Sequence, residues 1–333
     1  MDKLIEILAC SDWLNRLTSS LAGQCVTIYT LHRAAMPSHP HLGTDPALLD
    51  KALHELRANG FTFISLEDVI KAGVDGAPLP EKAICFTLDD GYSDQADLLT
   101  PILLRHGAKP TFFVITDMLD GISWPWDEKI TYVLEETQKD EIPNPFMHFH
   151  GHQKILPLGT AKDKTKARRY LQVTAKELPQ RKVQSFLEQL AMYNEVVIPC
   201  KPPAPYQAMT WDDARKLEAE GAYFAPHSCD HSIFSRLTTE ESEYQIKQSW
   251  SRLENELRKP VKIFCYPTGR LQDFTVEQMH YLEKQGFLGA VSFVSKPCKI
   301  RTIPNELFKL PRIALPNKLS TIKRYASWIE RVR

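Results

Sequence analysis

Two adjacent carboxylates, Asp89 and Asp90, lie in the run Thr87-Leu88-Asp89-Asp90-Gly91-Tyr92, after an apolar stretch and before a glycine that permits a sharp turn. Side chains of consecutive residues diverge, so one carboxylate is free to bind a cation while the other handles a proton. The same run is equally consistent with a turn and a helix cap, Asp94 or Asp97 serving the helix that follows. A second candidate is His227-Ser228-Cys229-Asp230-His231, with imidazoles four positions apart; on a helical turn they would share a face and chelate one metal. Eleven histidines in 333 residues give about 0.4 such pairs by chance, so the spacing alone decides nothing. Position adds weight, because each motif follows a strand-like run and both imidazoles and one acid can then meet at one mouth.

Two further places carry possible chemistry. In Phe264-Cys265-Tyr266-Pro267-Thr268-Gly269-Arg270 a strand runs into a Pro and Gly turn, which is either a plain loop or a backbone N–H aimed at a substrate oxyanion. His32 closes the run 27–31, where an imidazole is well placed as a proton donor, although a lone histidine is more often structural.

The elements that must position these residues are short β-branched or aromatic runs alternating with helical patterns. Runs 26–31, 61–65, 83–88, 111–115, 261–266 and 287–291 read as strands. Segments 47–59, 94–106 and 212–220 read as helices closed by Gly60, Gly107 and Gly221, and 239–258 as a helix ending before Pro260. Strand-then-helix order predicts an α/β fold with a mainly parallel sheet or barrel, its site beyond the carboxyl ends of the strands. Between 121 and 205 the alternation breaks: Trp124-Pro125-Trp126 opens the segment, charged residues crowd 162–169, and 181–193 carries Val183, Phe186, Leu187 and Leu190 in helical phase. This reads as a mainly helical insertion (121–205) in a barrel made of 22–120 and 206–333, with 1–21 as an N-terminal helical extension. Trp124 and Trp126 suit packing of the insertion somewhat better than stacking on a sugar.

Composition narrows the function. With 43% hydrophobic and 25% charged residues the chain can build a sizeable core. Forty-one basic and forty-one acidic residues cancel, which removes the footprint of a general nucleic-acid or anionic-membrane binder. Seven scattered cysteines without a Cys-x-x-Cys spacing argue against a disulfide framework and a thiolate zinc site. Asp2, Lys3, Glu6 and Asp12 interrupt the N-terminal apolar residues, and no run is long enough to span a bilayer, so the expectation is a soluble, cytoplasmic protein.

Taken in order, Thr-Leu-Asp-Asp-Gly-Tyr, His-Ser-Cys-Asp-His and Tyr-Pro-Thr-Gly resemble the motifs of the NodB-type polysaccharide deacetylases, the fourth family of carbohydrate esterases. The resemblance covers roughly 26–120 and 207–316 and includes Met209-Thr210-Trp211-Asp212 and Leu237-Thr238 around the histidine motif. His32, in Tyr29-Thr30-Leu31-His32-Arg33, resembles the circularly permuted subgroup that deacetylates poly-N-acetylglucosamine, where the late histidine motif precedes the Asp-Asp motif. The resemblance implies a deformed (β/α) barrel. It makes Asp90, His227 and His231 ligands of one divalent metal, zinc by preference, and Asp89 the general base. It also gives Thr268 the oxyanion-binding backbone N–H and makes His32, as imidazolium, the acid that protonates the departing sugar amine. Two departures stand out. Cys265 occupies the place of the family's arginine, for which Arg312 is the candidate substitute, and Thr268 occupies that of a tyrosine. The implied partner is an N-acetylated saccharide. Hydrolysis of another amide, such as a formamide or cyclic imide, and a non-catalytic carbohydrate-binding protein are the alternatives.

Overall fold

A computed structural model describes residues 11–36, 43–146 and 154–332. Of the N-terminal extension, residues 1–10 lie outside the described residues, and a helix spans Asp12–Ala22. The strands are β1 (Cys25–Leu31), β2 (Thr62–Ile64), β3 (Ala83–Asp90), β4 (Thr111–Val114), β5 (Glu141–Pro143), β6 (Ile155–Pro157), β7 (Tyr223–Pro226), β8 (Ile263–Cys265), β9 (Gly289–Val291), β10 (Cys298–Lys299) and β11 (Ile313–Ala314).

The central sheet has the order β10-β1-β3-β4-β7, parallel from β1 to β7, with β2 added to β3 and β11 to β1. Strands β8 and β9 form a separate parallel pair. Isolated hydrogen bonds outside the named strand pairs carry the ring onward. Val261 N–H donates to Phe224 O at 2.7 Å, Leu310 N–H to Ala290 O at 2.8 Å, and β11 then returns the chain to β1. These interrupted joints make the barrel a deformed one, in an α/β fold.

Period-two alternation sorts the strand residues. Val26, Ile28, Cys85, Phe113, Ala225, Cys265 and Val291 belong to one buried cluster, while Tyr29, Leu31, Phe86, Leu88, Phe112 and Phe224 pack under the helices in another. The expected strands are present with ends moved by at most two residues. The expected helix 94–106 is divided: Gln95–Leu99 is a π-helix and Thr100–Arg105 an α-helix. Pro101 has no N–H to give back to the preceding turn, which breaks the regular ladder there. Capping boxes at Thr210 with Asp213 and at Thr238 with Glu241 start the helices on either side of the histidine motif.

Between 121 and 205, helices Trp126–Glu136, Ala161–Ala175 and Gln180–Asn194 and the β5–β6 ribbon share a cluster that includes Ile130, Leu171, Phe186 and Leu190. Trp124 and Trp126 are 2% and 4% exposed. Trp124 sits edge-on to Tyr132 and donates its indole N–H to Pro199 O at 3.0 Å, so both tryptophans serve packing.

Candidate active site

Strand register brings the separate motifs level. Leu31 pairs with Leu88, Asp90 with Val114, and Val114 with Pro226, so His32, the Asp89-Asp90 pair and His227 emerge side by side at the carboxyl ends of β1, β3 and β7. Asp89 follows Cys85 and Thr87 on the inward face. Asp90 would point to the outer layer under strict alternation, but it has φ 80° and leaves the strand geometry. Its Oδ1 lies 3.5 Å from His227 Nε2 and 3.6 Å from His231 Nε2.

The histidine motif does not form the helical turn expected of it. Residues 227–231 make an irregular bend in which Ser228 (φ 64°) and His231 (φ 62°) are left-handed, held by His231 N–H donating to Ser228 Oγ at 3.0 Å. Of the five described non-glycine residues with positive φ, four are Asp90, Ser228, His231 and Thr268, so backbone strain concentrates at this mouth.

Two side-chain triads here offer three ligand atoms within 4.8 Å of one another: Asp90, His227 and His231, and Asp89, His227 and Cys265. Their chemistry separates them. In the first, Asp90 Oδ1 is buried without a hydrogen-bond partner, an acceptor that a cation would satisfy, and burial raises the Asp90 carboxyl. His227 Nδ1 contacts Cys265 O at 2.8 Å, a bond that needs the proton on Nδ1 and turns the Nε2 lone pair toward Asp90. Burial pushes His227 down to about 3, so it is neutral and able to ligate. His231 goes the other way: burial opposes its charge, but Asp127 and Asp90 hold it up at about 9, so a cation would ligate it by taking the place of the Nε2 proton between His231 and Asp90. In the second triad the Asp89 carboxylate is already bound by an arginine, and burial raises the Cys265 thiol well above its ordinary range, which keeps it protonated. The first triad therefore fits a divalent metal and the second does not.

Arg312 is the arginine on Asp89. Its two terminal nitrogens donate to Oδ1 at 2.6 Å and Oδ2 at 2.8 Å, and the pair is 2% and 3% exposed. Arg312 also reaches Thr87 Oγ1 at 3.1 Å and Cys265 Sγ at 3.1 Å, so the shorter side chain at 265 leaves the room that this guanidinium fills. Burial pushes the Asp89 carboxyl up, but the Arg312 charge, helped by His32 and His227, overrides it and holds the carboxyl well below the usual range. His32 Nε2 lies 3.6 Å from Asp89 Oδ2, with its ring half exposed to the cleft. Thr268 follows β8 at φ 57°; its hydroxyl donates to Asp273, and among the described residues nothing accepts from its backbone N–H.

Four residues at the site have no signal in the sequence that distinguishes them from ordinary polar positions. Gln95, fully buried, donates its amide N–H groups to the carbonyls of His32 and Asp89 and ties the two strand ends together. Arg33 is held by Asp94 at 2.7 Å and lies over the Tyr92 ring. Asp127 and Glu128 start the helix that follows the tryptophans, where acids are common for capping reasons alone. Glu128 is pushed up to about 7 by burial and by the Asp127 charge, against the pull of Arg33. A cavity of about 350 Å³ holds the Asp89-Asp90 pair, the two histidines and His32, and a second of about 470 Å³ shares His32, Arg33 and Glu128 with it.

Comparison with known proteins agrees with this fold. The family model "Polysaccharide deacetylase" matches residues 179–287, which include His227, His231, Cys265 and Thr268. No curated protein matches the chain in sequence. Among solved structures, the Streptococcus pyogenes deacetylase PplD in complex with acetate superposes with a TM-score of 0.58 at 16% identity, over 90% of this chain and 96% of its own. IcaB from Ammonifex degensii gives 0.57 at 16% identity, over 91% and 97%. A de-N-acetylase from Aggregatibacter actinomycetemcomitans gives 0.52 at 15%, over 90% and 99%.

Proposed function

From a chain that carries a polysaccharide deacetylase segment within the fold of the NodB-type deacetylases, we propose a hydrolase that removes N-acetyl groups from an N-acetylhexosamine unit of a saccharide or glycolipid precursor. The observation that carries this reading is the meeting of Asp90, His227 and His231 beside an ionised, arginine-bound Asp89 in one cleft. Asp90, His227 and His231 would hold a divalent metal, zinc on this reading, and that metal would supply a Lewis acid to acidify water and polarise the acetamide carbonyl. Asp89 accepts the proton of the attacking water, and Arg312 keeps its carboxylate charged and aimed. The Thr268 N–H donates to the carbonyl oxygen as negative charge builds on it. His32 donates a proton to the sugar nitrogen as the C–N bond breaks, and acetate and a free amine leave. Cys85, Cys200, Cys229, Cys265 and Cys298 are free thiols, four of them buried, in keeping with a reducing, cytoplasmic setting. No described helix is long and apolar enough to cross a membrane.

The direct test is mass spectrometry on N-acetylated oligosaccharides and lipid-linked sugars. One acetyl group should be lost per reacting unit, and a chelator should abolish the loss until zinc is restored. Absence of acetyl loss from every saccharide offered, with turnover of a formamide or cyclic imide instead, would replace this reading. A finer expectation concerns His32. An activated aryl ester needs no proton on its leaving group, so His32→Ala should slow amide cleavage by about 10²–10⁴-fold and ester cleavage far less. Equal losses on both substrates would remove His32 as the acid.

A further inference from the structure

We propose that Asp127, contributed by the segment 121–205, is a positioning residue of the metal centre: its carboxylate accepts from Nδ1 of His231 and so presents Nε2 to the cation. The inference rests on the metal reading above. Its basis is a pair of facing atoms. His231 Nδ1 and Asp127 Oδ1 are both buried without a hydrogen-bond partner, and they lie 3.6 Å from each other. That gap is just beyond hydrogen-bond length and far too short for a water between them, which needs about 2.8 Å on each side. A shift of roughly half an ångström therefore satisfies both atoms at once. On the opposite edge of the same ring, Nε2 faces Asp90 at 3.6 Å, so the imidazole lies between a carboxylate that would share the metal and one that would orient it.

The partner of the other histidine is different in kind. His227 is fixed by the Cys265 carbonyl, a backbone group of β8 that any side chain at 265 would supply. His231 depends on a side chain, and that side chain comes from outside the barrel strands. Trp126 and Ile130, buried in the cluster of the 121–205 helices, seat the helix Trp126–Glu136, and Gln172 of the helix Ala161–Ala175 donates to Asp127 O at 3.0 Å and to Thr131 Oγ1 at 3.3 Å. Asp127 is thus held at the helix start by contacts within that segment, which makes the segment part of the metal centre.

The experiment compares the full chain with its Asp127→Ala and Asp127→Asn variants, stripped of metal and titrated with zinc against a chromophoric chelator. Asp127→Ala should bind zinc about 10–100-fold more weakly. Asp127→Asn should recover much of that loss, because its amide oxygen still accepts from Nδ1–H. The d–d spectrum of the cobalt-loaded protein, read without substrate, should change with Asp127→Ala more than with Asp127→Asn. Zinc affinity of Asp127→Ala within twofold of the parent overturns the inference alone; a parent chain that takes up no zinc overturns the metal reading with it. Should Asp127→Ala fail to fold, Asp127→Asn and Asp127→Ser carry the comparison, and equal affinity in both overturns the inference.

Discussion

Asp89→Asn should lower the turnover number by about 10²–10⁴-fold while leaving one metal bound per chain. The asparagine amide is of the same size and still offers one oxygen to Arg312, so the proposed ligands Asp90, His227 and His231 stay where the neighbouring strands put them. Lost is the only acid of the pair that is both ionised and free of a ligand's role. Burial raises Asp90 while the Arg312 guanidinium holds Asp89 low, so Asp89 is the member of the pair whose ionised form its neighbours favour. The two neighbours therefore separate their tasks by environment. Metal analysis on the purified variant, alongside its steady-state kinetics, decides the matter: unimpaired turnover defeats the assigned base, and loss of the metal assigns Asp89 to the ligand set instead.

Arg312→Met should cost about 3–5 kcal/mol of folding stability, because it strands the Asp89 carboxylate in a nearly waterless interior. The expected rescue is specific. Combining Arg312→Met with Asp89→Asn removes both charges, and the double variant should be more stable than Arg312→Met alone, as urea unfolding would show. Equal stability of the two would mean that the pair is not what holds this part of the barrel. The pH dependence has a defined sign. Asp89 is depressed in the folded protein, so its contribution is fully present above the unfolded carboxylate pKa and is lost as pH falls through the folded one. Without Arg312 the largest lowering influence disappears, burial is opposed only by His32 and His227, and the acidic limb of kcat/KM should move upward by about 1–3 pH units. A limb that stays in place would show that Arg312 does not tune the base.

Much of this site was legible before any coordinates. Strand-then-helix order, glycines at helix ends and the phase of Val183, Phe186, Leu187 and Leu190 are local properties, set by backbone sterics and by which face must leave water. Asp89, Asp90, His32, His227 and His231 could be singled out because each stands at the end of a strand-like run, and strand ends in such folds converge. His227 and His231 share one metal-sized space without the helical turn that their spacing would suit. Four-residue spacing is common to a helical turn and to a bend with left-handed residues, and only the seating of Ser228 against its neighbours selects the second.

The sequence by itself determined which residue types stand at the strand ends, and with them the range of chemistry open to this chain: carboxylates, imidazoles, a Pro and Gly turn. Only the tertiary structure decided which carboxylate does what. Residues 89 and 312 are 223 positions apart, and nothing local to either says that a guanidinium will fill the space left at Cys265. The same holds for Asp127, an unremarkable acid at a helix start until the packing of Trp126 brings it to His231. Proton affinity is a property of surroundings, burial and neighbouring charge together, and those are fixed by contacts between distant segments.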